Sequence, residues 1–251
     1  DILTDTGWIQ GRCHIENGQI TRLDGTPISE NEAMSSDSPK YLPGFIDLHT
    51  HGCAGQDLMM GGESVAHIAK HQVQFGTTSF LATTMTAPLA QISQVLRDIQ
   101  SYVETQAGHP HATVLGVHLE GPYINSNQLG AQPNFTRSAV LAEIQQLHEI
   151  TPILVLTLAP ECLSDPQLIH ELSALNMRVQ VGHSKGSYDD GICALNHGAS
   201  GFTHLFNAMS GLHHREPGIV GAALAHAEYA ELIPDLIHVH PGAIRVALRA
   251  I

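Results

Sequence analysis

The sequence predicts an α/β fold, a TIM-like parallel (β/α)8 barrel lacking its last strand, preceded by a small antiparallel β segment. Three observations carry that expectation. From Tyr41 onward, apolar strand-like runs alternate with segments of helical spacing; seven such units follow one another; and residues 1–42 have a different texture, with short apolar pieces between turn signals. A chain of 251 residues has room for one large domain and a small appendage with an ample core.

Residues 1–42 read as short strands and a polar link. Ile2-Leu3, Trp8-Ile9 and Cys13-His14-Ile15 are set off by two turn signals, Glu16-Asn17-Gly18 and Asp24-Gly25-Thr26-Pro27, and Ser29 to Lys40 reads as the link. So small a segment must pack or pair with something else. The barrel is expected over residues 43–251. Its strands are Phe45 to Leu48, Ser79 to Ala82, Thr113 to Leu119, Ile153 to Leu158, Arg178 to Val181, Gly201 to His204 and Leu232 to Val239. Its helices are Ser64 to Phe75, Leu89 to Val103, Ala139 to Glu149, Pro166 to Leu175, Tyr188 to His197, Ile219 to Ala227 and Pro241 to Ile251. Pro88, Pro166 and Pro217 stand where helices start, a place that tolerates a missing N–H. Near-continuous apolar strands indicate a parallel sheet with helices outside it. A doubly wound open sheet is the competing arrangement, and seven consecutive units favour the barrel.

Composition narrows the function. Lys and Arg number 11 against 24 Asp and Glu, a net charge of −13, and no basic run could track a phosphate backbone, so nucleic acid is not an expected partner. A small anionic substrate stays open, because one Arg and a few His set the field inside a pocket. The four cysteines are far apart and form no CxxC, which reads as reduced thiols in a cytoplasmic protein. No apolar stretch reaches the roughly 18–20 residues that span a bilayer, and no charged-then-apolar leader opens the chain. Eighteen histidines are an excess, and only their position can say what they do.

In a parallel barrel the reactive groups lie where strands end and βα loops begin. Those positions hold His49 and His51, His118 and Glu120, His183, His204, and His238 with His240. Side chains two apart on a strand share a face, so His49 and His51 can reach one ion. Taken singly, each is as readily a hydrogen-bonded structural residue as a ligand. Together, a carboxylate with two to four imidazoles at the ends of several strands suits a hydrolytic Zn2+ or Fe2+ site with an open position. Arg215, His238 and the backbone amides near Asn207 and Ala208 form a second set that can hold a phosphate. An ordinary ion pair with Glu216 is the plainer reading of Arg215. Tyr123 to Phe135, rich in Asn, Gln, Gly and Pro, is long enough to be a lid or simply a surface excursion.

These segments resemble a known family. Pro43-Gly44-Phe45-Ile46-Asp47-Leu48-His49-Thr50-His51-Gly52, His118-Leu119-Glu120-Gly121-Pro122, Gly182-His183-Ser184, Thr203 to Met209 and His213 to Gly218 are similar, in order and spacing, to the N-acetylglucosamine-6-phosphate deacetylases of the amidohydrolase superfamily. The resemblance implies a barrel with a small β-sandwich built from both chain ends, a homodimer, and hydrolysis of the acetamide of N-acetylglucosamine 6-phosphate to acetate and glucosamine 6-phosphate. It implies that Glu120, His183 and His204 hold the principal ion and that His49 and His51 add a second. Ala131, Asn207, Ala208, Arg215 and His238 match sugar-phosphate positions, with Arg215 reaching across the dimer interface. Gln132 stands where the family usually has His. The family's catalytic Asp follows an eighth strand, beyond Ile251, so the 251 residues read as a portion of a longer protein that is weakly active at best. A rim imidazole such as His118 is expected to assist at the carbonyl. Competing readings are a deacetylase of another sugar phosphate, such as N-acetylgalactosamine 6-phosphate, and a non-catalytic sugar-phosphate-binding barrel. A cyclic amidase with a carbamylated Lys is disfavoured, because Leu156-Thr157-Leu158-Ala159-Pro160-Glu161 offers no Lys.

Overall fold

The computed structural model describes residues 1–251 as two units, Asp1–Phe45 and Ile46–Ile251. In the first, β1 (Ile2–Thr4), β2 (Gly7–Glu16) and β3 (Gln19–Pro27) form an antiparallel sheet in that order. Asn17 and Gly18 make the β2–β3 turn with φ of 52° and 76°, the left-handed pair that matches strand twist in a two-residue hairpin. Asp24 to Pro27, expected as a turn, lies inside β3. The reason is close backbone approach: Gly25 pairs with Gly11, where a Cβ would stand 1.8 Å from the Asp24 carbonyl oxygen. The expected polar link contains α1 (Glu30–Ser35). Its start is a capping box, the Ser29 hydroxyl accepting from the Glu32 amide at 3.2 Å and the Glu32 carboxylate accepting from the Ser29 amide at 2.7 Å.

The second unit is a rising series of βα steps. β4 (Phe45–Thr50) leads into a short hairpin, β5 (Gly52–Cys53) and β6 (Gln56–Asp57). Then come α2 (Glu63–Gln72), β7 (Thr77–Thr83), α3 (Leu89–Thr105), β8 (Thr113–Glu120), α4 (Leu141–Ile150) and β9 (Ile153–Leu158). α5 (Gln167–Ala174), β10 (Arg178–Val181), α6 (Tyr188–Asn196), β11 (Gly201–Phe202), α7 (Gly218–His226) and α8 (Pro241–Ala250) complete it. The sheet order is β11-β10-β9-β8-β7-β4, so each strand neighbours its successor in sequence, and β7 through β11 pair in parallel. That is the architecture of an incomplete (β/α) barrel.

Helix faces explain why the layers close. α3 buries Ile92, Val95, Leu96 and Ile99, a 3.6-period stripe, and α2 buries Val65, Ile68 and Ala69. Each fully buried Leu or Ile contributes about 1.5–3 kcal/mol over its exposed state. Pro88, Pro166 and Pro217 sit immediately before α3, α5 and α7, so the helix starts follow the sequence expectation.

The seventh strand is a correction. Leu232 to Val239 is irregular, and the sheet has six strands. Just before that run, one parallel bridge joins Ala230 to Phe202, and the Glu231 amide bonds to the Phe202 carbonyl at 2.9 Å. Pro234 lacks the N–H a ladder needs, and Asp235 turns the chain by accepting from the Ile237 and His238 amides. All four cysteines are free, and no helix is long and apolar enough to cross a membrane.

Candidate metal centre and substrate pocket

β8 ends on Glu120, with His118 two residues earlier on the same face. β4 carries His49, and His51 follows the strand directly. His183 and His204 each stand two residues past their strands, β10 and β11, with φ of 49° and 34°. Phe206 and Ala208 also have positive φ, at 82° and 51°. Left-handed backbone at non-glycine residues costs roughly 1–3 kcal/mol each, and such residues cluster where side chains must be aimed.

The five predicted ligand residues come together around one carboxylate. Glu120 is 1% exposed. Its Oε1 lies 2.9 Å from His183 Nε2 and 3.0 Å from His204 Nε2; its Oε2 lies 2.9 Å from His51 Nε2 and 3.6 Å from His49 Nε2. The imidazoles are also close to each other, His183 to His204 at 3.0 Å and His49 to His51 at 3.3 Å between Nε2 atoms. Two ligand trios result, Glu120–His183–His204, all buried, and Glu120–His49–His51, partly open.

Protons show whether this set fits a cation. His183 Nδ1 donates to the Gln128 carbonyl at 2.8 Å, His51 Nδ1 to the Thr83 carbonyl at 3.3 Å, and His49 Nδ1 to the Glu231 carboxylate at 2.8 Å. Those acceptors hold the proton on Nδ1, so a neutral ring turns its Nε2 lone pair toward Glu120, whose oxygens carry only lone pairs. Lone pairs facing lone pairs require a positive charge between them. Protons on the Nε2 atoms can supply that charge in place of an ion, and the titration then shifts. Burial opposes ionisation of Glu120, but bonds from His183, His204, His49 and His51 carry its pKa well below the usual carboxylate range. Burial likewise opposes a charged His49, yet its bonds to Glu120 and Glu231 carry it up to about 10. The residues present therefore fit a divalent metal ion.

Around this centre lies a cavity of about 860 Å³, a size suited to a small-molecule ligand. Ala131, Asn207, Ala208 and His238 line it, together with Glu120, His183, His204, His49 and His51. Arg215 is not brought in. It is exposed, outside the lining, and its guanidinium meets His214 Nε2 at 2.9 Å; Glu216 is not its partner. His118 is a correction. It is fully buried, with Nδ1 donating to the Leu48 carbonyl at 3.1 Å and Nε2 2.7 Å from the Thr157 hydroxyl, so it has no ring nitrogen for a substrate carbonyl. Burial, followed by the nearby charge of His49, pushes its pKa down to about 4.

Two residues at the centre had no predicted role there. Glu231 backs His49, and Gln132 reaches in from the Tyr123 to Phe135 loop, its amide nitrogen 2.5 Å from Glu120 Oε2 and its oxygen accepting from the Thr86 amide at 2.6 Å. That loop is also pinned by Asn125, whose amide donates to the His183 carbonyl at 3.0 Å and whose side chain donates to Glu161 at 2.9 Å. Glu161 in turn accepts from the Ser184 hydroxyl at 2.6 Å and the Lys185 amide at 2.7 Å, bracing the loop that carries His183.

The fold and the ligand set together define an amidohydrolase, and the Amidohydrolase family matches residues 41–245. The chain belongs to that family. It is 39% identical over 249 residues to an N-acetylgalactosamine-6-phosphate deacetylase of Escherichia coli O157:H7, covering 97% of this chain and 65% of that protein. It is 36% identical over 240 residues to an N-acetylglucosamine-6-phosphate deacetylase of Vibrio furnissii, covering 93% of this chain and 60% of the relative. Among solved structures, an N-acetylglucosamine-6-phosphate deacetylase of Thermotoga maritima superposes with a TM-score of 0.85 at 29% identity, over 99% of this chain and 65% of that one. The chain thus spans 60–65% of the length of these relatives.

Proposed function

We propose that the protein is a metal-dependent deacetylase that hydrolyses the acetamide of N-acetylglucosamine 6-phosphate, releasing acetate and glucosamine 6-phosphate. The observation that carries this reading is Glu120, a buried carboxylate with four Nε2 atoms aimed at its two oxygens, in the lining of a cavity of about 860 Å³. Glu120, His183 and His204 would hold one ion, and His49 and His51 with the other Glu120 oxygen would hold a second. A Zn2+ or Fe2+ bound there supplies polarisation of the acetyl carbonyl and acidification of water. The chain's own residues bind and orient. His238 donates Nδ1–H to Asp235 at 2.6 Å, which leaves Nε2 for a ligand, and with Asn207 and the backbone at Ala208 it would anchor the phosphate. Ala131 and the pinned lid would cover the sugar and exclude water.

Arg215, exposed and outside the cavity lining, would serve the phosphate across a homodimer interface. Residues 1–42 would belong to a small β-sandwich, and the free cysteines support a reducing, cytoplasmic setting. The 39% identity to an N-acetylgalactosamine-6-phosphate deacetylase favours one second reading, the galacto substrate. Acetate release by the whole protein, assayed with both N-acetylated sugar phosphates alongside metal analysis, tests the proposal. Turnover of the gluco compound with the higher kcat/KM supports it, a reversed preference supports the second reading, and bound metal without turnover would reduce the protein to a sugar-phosphate-binding barrel.

A further inference from the structure

We infer that Glu231 is a positioning residue that sets His49 for an ion between His49, His51 and Glu120. The inference rests on the metal reading above and adds to it a residue that acts through another. Its backbone is fixed on both sides: the Glu231 amide donates to the Phe202 carbonyl at 2.9 Å, and the Leu205 amide donates to the Glu231 carbonyl at 2.8 Å. The side chain is therefore aimed from the last remnant of sheet, and its Oε2 accepts the His49 Nδ1 proton at 2.8 Å. An ionised carboxylate is an acceptor only, so His49 keeps its proton on Nδ1 and presents its lone pair at Nε2. That Nε2 lies 3.3 Å from His51 Nε2 and 3.6 Å from Glu120 Oε2.

His49, His118 and Glu231 also form a close trio of ligand-type groups. It is a support and not an ion site, because both ring nitrogens of His118 are taken, by Leu48 and Thr157, and His49 Nδ1 is turned to Glu231. The backing differs between the two ion positions. His183 Nδ1 leans on a neutral carbonyl and His204 Nδ1 has no protein partner, whereas His49 alone leans on a carboxylate. A carboxylate behind a ligating imidazole raises its basicity and holds its ring plane, and losing such a partner typically weakens metal binding about 10- to 100-fold. Glu231 should accordingly tune the outer ion and spare the inner one.

The test is Zn2+ competition against a chelator on the whole protein, wild type beside Glu231→Leu and Glu231→Gln, with the histidine tautomers read by long-range 15N–1H correlation. Wild type should bind two ions with His49 as the Nδ1–H tautomer. In Glu231→Leu the weaker site should lose about 10- to 100-fold in affinity, the tighter site should stay within about twofold, and His49 should populate both tautomers. Glu231→Gln, which keeps an acceptor and loses the charge, should retain the tautomer and show a smaller loss at the same site. Should Glu231→Leu fail to fold, Glu231→Gln decides alone. Two ions in wild type with unchanged affinities in the variants would overturn the role of Glu231 and leave the metal reading standing, as would equal loss at both sites. One ion in wild type removes the outer site and this inference with it, and none overturns the metal reading itself.

Discussion

Replacing Glu120 by Gln keeps the side chain's shape and removes the charge on which both ligand trios depend. In the native site Glu120 Oε1 faces His183 and His204 at 2.9 and 3.0 Å, and Oε2 faces His51 at 2.9 Å. The amide retains one oxygen and turns an NH2 toward the other pair, where Gln132 already presents an amide nitrogen. Removing one member of a buried, hydrogen-bonded charge set costs about 3–5 kcal/mol. At about 1.4 kcal/mol per tenfold, that is a loss of at least about 100-fold in metal affinity. Because the carboxylate is shared, both ions should weaken together. Dialysis of the whole protein against buffered free Zn2+, followed by metal analysis per chain, reads the effect. Zinc content and affinity within twofold of wild type would refute the assignment of Glu120 as the shared ligand.

Three further outcomes follow from other parts of the molecule. A Cβ at Gly182 would stand 2.6 Å from Thr157 Cγ2 and 3.0 Å from Thr203 Cβ, so Gly182→Ala should cost about 1–3 kcal/mol and lower Tm by several degrees, and an unchanged melt would contradict the tight β9–β10–β11 packing. The His238 amide and ring and the Ile237 amide hold the Asp235 carboxyl down to about 2, a contribution present above the ordinary Asp value near 3.8 and lost as pH falls toward 2. Asp235→Ala should raise KM for the sugar phosphate about tenfold with little change in kcat, and an unchanged KM would remove His238 from the phosphate site. Burial, with the neighbouring Glu161 charge, pushes the Cys162 thiol up to about 11, so its alkylation by iodoacetamide should keep rising about tenfold per pH unit to pH 10, and a plateau by pH 9 would contradict that environment.

The barrel steps were legible because period and punctuation coincide: Ile153–Leu158 and Arg178–Val181 are strands with the bounds their apolar runs suggest, and three prolines mark three helix starts. The cluster around Glu120 was legible because its residues sit at or just past strand ends, where two-residue periodicity fixes which face a side chain takes. That same rule misled at His118. It shares a face with Glu120 but lies one layer deeper, where its nitrogens are used by Leu48 and Thr157. The capping box Ser29-x-x-Glu32 was a readable sign of α1 within the expected polar link. Glu231 carried no local sign, and Gln132 was marked only by the resemblance, as a residue standing where the family usually has His. The first stands 182 residues from His49, at the head of an apolar run that Pro234 prevents from forming a strand, and the second belongs to the Tyr123 to Phe135 loop, whose turn chemistry does not disclose where it folds back.

The most direct measurement is acetate released from N-acetylglucosamine 6-phosphate by the whole protein, metal-loaded and metal-stripped, with Glu120→Gln alongside. Turnover that disappears on stripping, returns with Zn2+ or Fe2+, and is absent from Glu120→Gln is the predicted result. Turnover undiminished in the stripped protein or in Glu120→Gln would contradict a metal-dependent deacetylase built on Glu120.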